Sequence, residues 1–243
     1  MTVAPSASVE PSPGIWRPRS AIALVLGVSL LNLLVGRIVR VVARAGLAPV
    51  VVSLALLVTF ATLYLVELGT VASVIHHAGG RVREWIGRGR GVAGRWIAIA
   101  VASIVAVRAL ATAYAGFMLA MGWRLQGWNA DPTRYFPRDL LGSVVLVFVV
   151  VVAAPVAEEV VFRGVLLPSF STWLGERWGI AITSVVFAAL HLNAFSFLPI
   201  LLVAWVLARL YQRSGSLWVS IAGHATFNAL GIVVLLLRWK GSM

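Results

Sequence analysis

LLGSVVLVFVVVVAAPVAEEVVFRGVLL, residues 140–167, holds the decisive pattern of this chain. From Leu140 to Ala157 there is no charged side chain. A helix needs about 20 mostly apolar residues to cross a bilayer core about 30 Å thick. The run has no polar stripe of the kind a helix on a soluble core carries. It also lacks the period-two alternation of a barrel strand, so the spanning form open to it is a helix. Into this helix the sequence then sets Glu158, Glu159 and Arg163. A charge at the centre of a spanning helix costs about 2.5–3.5 kcal/mol on insertion scales, so such residues are functional by default.

The rest of the chain repeats the first half of this pattern. Of its 243 residues, 60% are hydrophobic and 12% charged, against about a quarter charged in soluble domains. Apolar blocks predict seven helices, near 20–42, 48–75, 94–122, 139–168, 178–193, 196–213 and 216–238. The fold class is an all-α, polytopic transmembrane bundle of about seven spans. Residues 1–19, rich in Pro and Ser, read as a disordered tail. Residues 20–243 read as one transmembrane domain. Ala21 to Val35 imitates a secretory signal, but no cleavage site follows at a workable distance, so it is expected to stay as the first span.

The net charge is +12, with Lys240 the only lysine. The arginines flank apolar blocks, as anchors against anionic headgroups do, which argues for a bilayer partner and against nucleic acid. The dense Arg81–Arg95 loop favours an N-terminus on the cytoplasmic side. Arginine with abundant Ala, Val and Gly suggests a bacterial cell membrane. There is no cysteine, so disulfides and thiolate ligands are excluded.

Three polar groups in the second half stand where lipid-facing residues belong. Glu159 and Arg163 are four apart and share a helix face, so they can pair. Glu158 points about 100° away and is left to face the bundle interior, where a carboxylate suits general-base work. His191 follows Phe187 by four in the fifth span; alone it reads equally as a core histidine. Asn193 reads as a cap or turn residue. His224 and Asn228 share a face of the seventh span and can donate to a developing oxyanion, or serve as interhelical hydrogen-bond glue. Gly223 would let another backbone come close. Counted along their helices, Glu158, His191 and His224 fall at similar depths. Pro155, one turn before Glu158, is expected to bend its helix and free a carbonyl beside a hydrated cavity. In the first half, Glu67 and Arg108 lie inside spans and either pair across helices or snorkel outward.

In these motifs the chain resembles the CPBP family, the CAAX proteases and bacteriocin-processing enzymes. The family pattern E-E-x-x-x-R, F-x-x-x-H, H-x-x-x-N is matched by Glu158-Glu159 with Arg163, Phe187 with His191, and His224 with Asn228. The resemblance covers about 139–238. It implies an intramembrane endopeptidase acting on a membrane protein or peptide. Glu158 and His191 would activate a water, His224 and Asn228 would stabilise the oxyanion, and Glu159 and Arg163 would support the first glutamate. It implies no cofactor in this form. Alternatively, Glu158, His191 and His224 would supply three zinc ligands with an open fourth position. Rival readings are a proton- or ion-coupled transporter, for which no internal repeat is visible, and a non-catalytic immunity or scaffold protein on the same fold.

Overall fold

The computed structural model describes residues 16–82, 86, 93–123 and 132–240. Most of the expected tail, residues 1–15, and the loop residues Arg83, Arg88, Arg90 and Arg124 lie outside the described residues. Among the described residues all regular structure is helical. The helices are α1 (Pro18–Arg44), α2 (Pro49–His77), α3 (Ala93–Ala120), α4 (Leu140–Leu174), α5 (Glu176–Leu190), α6 (Phe197–Ser214) and α7 (Leu217–Lys240). A 3-10 turn, Pro132–Tyr135, precedes α4. This is the expected helical membrane bundle.

The ends of the helices follow from local chemistry. α1 and α2 open on Pro18 and Pro49, where the missing N–H has no intrahelical partner to lose. Asp139 caps α4 by accepting from Gly142 N at 2.7 Å. Gly175, at φ +84°, allows the reversal from α4 into α5, and Gly215, at φ +65°, closes α6.

α1, α2, α3, α4 and α7 are each long and apolar enough to cross a bilayer. Leu26, Leu65, Phe117 and Leu140 are 63–83% exposed on their outer faces. Surfaces of that kind are rare on soluble monomers and natural against lipid. α5 has 15 residues and α6 has 18, or about 22 Å and 27 Å. Both fall short of a full crossing with margin. The shortness of α5 is what lets its C-terminal end stop within the bundle, at His191.

α4 is the central element, touching α1, α2, α5 and α7. It departs from expectation at its end. Pro168 was expected to stop it, yet it continues to Leu174. The cause is a change of hydrogen-bond register. Phe148–Ala153 and Val160–Leu166 are π-helical, and each is followed one residue later by a proline, Pro155 and Pro168. A proline ring collides with the carbonyl four residues back in an α-helix. The wider π turn shifts bonding to the fifth residue back and relieves that collision. Ala154 N accordingly bonds Val149 O, and Leu167 N bonds Phe162 O. With 35 residues in α4, Glu158 sits near its middle, about 24 Å from Leu174 rather than the shorter distance expected from Pro168.

Candidate active site

In the π register the N–H of residue 155 would bond Val150 O. Proline has no N–H, and the orphaned carbonyl accepts instead from Asn228 Nδ2 of α7, at 2.8 Å. The carbonyl freed by Pro155 is thus satisfied by protein. Asn228 was expected to donate to an oxyanion. Its placement spends one of its two N–H groups on the break in α4, and it is not in the cavity wall.

Glu159 is fully buried and binds two helices at once. Its Oε1 accepts from Arg163 Nη1 at 2.8 Å and from His224 Nδ1 at 2.8 Å. The expected Glu159–Arg163 pair is present. Arg163 also donates through Nη2 to Ala204 O of α6, at 2.9 Å, and its Cζ lies 4.7 Å from the centre of the Phe187 ring. One ion pair therefore ties α4 to α5, α6 and α7.

An ionised carboxylate accepts only, so His224 must carry its proton on Nδ1. That fixes the ring and turns Nε2 toward Glu158, with Nε2 to Oε2 at 3.8 Å. Glu158 Oε2 has no hydrogen-bond partner among the described residues. Its side chain is nevertheless 31% exposed, against 0% for Glu159. The two adjacent glutamates are thus separated as the helix geometry requires: Glu159 is a buried strut, and Glu158 opens on a cavity.

His191 stands just past the last residue of α5 rather than inside a span, with Leu192 following at φ +50°. Its Nδ1 lies 2.8 Å from Phe187 O. A carbonyl only accepts, so Nδ1 donates and Nε2 is the basic nitrogen of the neutral ring. Asn193 serves the turn as expected, accepting from Ser196 N at 3.1 Å. The Phe187 ring packs against both histidines. Its centre is 4.8 Å from that of His191 and 5.7 Å from that of His224. Phe162 packs on it edge to face at 4.9 Å.

A cavity of about 350 Å³ brings Glu158 and His191 into one wall. His224 and Asn228 are behind that wall, His224 in contact with it through Glu158. The opposite wall comes from α1 and α2, with Asn32, Tyr64 and Glu67. These residues were missed as site components. The visible signal was polar spacing at i, i+3, Ser29 with Asn32 and Tyr64 with Glu67, on otherwise apolar helices. Glu67 does not pair with Arg108. It accepts from Asn32 Nδ2 at 2.8 Å, while Arg108 stacks its Cζ 5.0 Å from the Phe227 ring centre and lies against Gly231. What approaches Gly223 is not a backbone but the Leu207 side chain of α6, which a Cβ there would meet at 2.9 Å.

Among the described residues no group of three His, Asp or Glu side chains is arranged to hold a metal ion. The zinc set of Glu158, His191 and His224 does not converge in this geometry. The Phe187 ring packs against both imidazoles, and the Nδ1–H that His224 donates to Glu159 leaves Nε2 as the nitrogen facing Glu158.

Residues 140–230 match the family described as type II CAAX prenyl endopeptidase Rce1-like. An uncharacterized 24.3 kDa protein of Escherichia coli is 31% identical over 136 residues, covering 52% of this chain and 61% of that protein. The chain therefore spans less than two thirds of the length of this curated relative. No solved structure matches. The matched segment takes in α4 to most of α7, the helices that carry Glu158, Glu159, Arg163, His191, His224 and Asn228, and over these helices the chain is similar to the type II CAAX prenyl endopeptidases.

Proposed function

We propose that this protein is an intramembrane endopeptidase that hydrolyses a peptide bond of a membrane-associated protein or peptide in the cavity between α1, α2, α4 and α5. The observation that carries the reading is that Glu158 and His191 share one wall of an otherwise largely apolar cavity inside a membrane bundle. Hydrolysis needs a water deprotonated near the scissile carbonyl, a donor for the oxyanion, and a proton for the leaving amine. Glu158 and the basic Nε2 of His191 are the groups that take the water's proton and return it to the amine. His224 Nε2, held at 3.8 Å from Glu158 Oε2, is the donor assigned to the oxyanion when its ring is protonated. Glu159 stabilises that cation and fixes its direction, the service a carboxylate renders to a catalytic histidine in hydrolytic triads. Asn228 acts through the helix, keeping the turn before Glu158 in register.

The test is Glu158→Gln, which keeps shape and hydrogen bonding but cannot accept a proton. Removing a positioned general base costs about 10²–10⁴ in rate. The variant should insert and fold normally while cleavage of a membrane substrate falls by that factor. Full activity at normal expression would overturn the assignment and favour a non-catalytic protein on this fold.

A further inference from the structure

The cavity wall holds a second carboxylate, one for which the hydrolytic steps have no use. Glu67 of α2 is 4% exposed and lies in the cavity wall. A carboxylate at that depth in a spanning helix is unfavourable unless something compensates it. Asn32 does so only in part. Its Nδ2 bonds Val28 O at 2.9 Å and Glu67 Oε1 at 2.8 Å, so both its amide hydrogens are committed and its orientation is fixed. Asn32 gives Glu67 a hydrogen bond but no charge, and among the described residues Glu67 makes no ion pair. Arg40 lines the same cavity, but its backbone is two turns further along α1, about 12 Å from Asn32. Glu158 lines the same cavity, so two carboxylates face one space. Ser29, Tyr64 and His191 add polar atoms to the wall, and most of the remainder is apolar, with Val25, Val28, Leu33, Val161, Phe162 and Leu190. An aliphatic stem ending in a cationic hydrogen-bond donor complements that arrangement: the stem covers the apolar wall, and the head supplies the charge that the buried Glu67 carboxylate lacks.

We infer that Glu67, oriented by Asn32, makes the cavity selective for substrate segments that present a lysine or arginine side chain beside the scissile bond. Glu67 touches the recognised side chain, not the reacting atoms, and is a specificity residue. Recognition then comes from α1 and α2, outside the segment that matches the family, while chemistry comes from α4, α5 and α7.

This selectivity rests on the cavity being the substrate chamber, but it is tested without cleavage, so it can fail while the endopeptidase reading stands, and the reverse. The probe is n-octylamine, with n-octanol as the uncharged control of equal length. The readout is the concentration dependence of the thermal unfolding midpoint of the detergent-solubilised full chain at pH 8. A hydrogen bond to a charged group is worth enough to favour the amine by about tenfold in Kd or more. Glu67→Gln, which can still accept from Asn32, should reduce that ratio to about one. Glu67→Asp should keep part of it, and covers the case in which Glu67→Gln fails to fold. Equal binding of amine and alcohol by the unaltered protein would overturn the inference. So would an amine preference that survives Glu67→Gln, or one lost only in Glu158→Gln, which would place the cation on the other carboxylate.

Discussion

Asn228 and Pro155 are 73 positions apart in sequence, yet both bear on one atom, Val150 O, and this can be measured. Asn228→Ala removes the donor at 2.8 Å and leaves a partly buried carbonyl orphaned in a helix that cannot supply its own N–H at residue 155. An unsatisfied buried acceptor costs about 1–3 kcal/mol. Interhelical hydrogen bonds measured within membranes average about 0.6 and reach about 1.7 kcal/mol. The two ranges overlap near 1–2 kcal/mol, which is the expected loss of stability. Pro155→Ala restores the missing N–H, which in the π register of Phe148–Ala153 points to the same carbonyl. In that background Asn228→Ala should lose most of its cost. The assay is a double-mutant cycle on reversible unfolding in mixed micelles, with expected coupling of about 1 kcal/mol. A coupling indistinguishable from zero would refute the account of Asn228 as the surrogate donor for proline. Loss of cleavage without loss of stability in Asn228→Ala would return it to the oxyanion.

Three further outcomes follow from the same geometry. Glu159→Gln leaves Arg163 and His224 without their ionised partner in a fully buried setting, and breaking such a pair costs about 3–5 kcal/mol; unfolding in micelles should show it, and stability within 1 kcal/mol of the parent would be about what an exposed pair loses and would remove Glu159 as the strut. Phe187→Ala removes the ring packed against His191 and His224 and the seat of Arg163; a loss of about 3–5 kcal/mol is expected from packing alone, and Phe187→Leu should recover most of the stability but less of the activity if the ring sets the spacing of the histidines. Activity of the purified protein should survive exhaustive chelation, and loss with rescue by zinc would show that the donors converge on a metal in the working state.

The legible part of this protein was the part governed by one-dimensional rules. Bilayer thickness sets helix length, so seven apolar blocks correspond to seven long helices among the described residues, and the i, i+4 rule paired Glu159 with Arg163. The error at Pro168 shows where such rules stop. Proline ends a helix only if the hydrogen-bond register is α, and the Val160–Leu166 π segment removes that condition without a mark in composition. His224 shows a second limit. Its type and spacing announced a polar function, but a histidine has two nitrogens, and only the third dimension reveals that Nδ1 belongs to Glu159 while Nε2 faces Glu158. The division of labour between adjacent glutamates was readable because a helix turns by about 100° per residue. The partnership of Glu67 with Asn32, 35 positions apart on another helix, was not, because nothing in either helix alone fixes their mutual rotation. Polar residues in a membrane chain therefore announce that they have partners, while the identity of those partners is a property of packing. It follows that the specificity of this site, which α1 and α2 help to wall, should vary with residues far from the motifs that mark its chemistry.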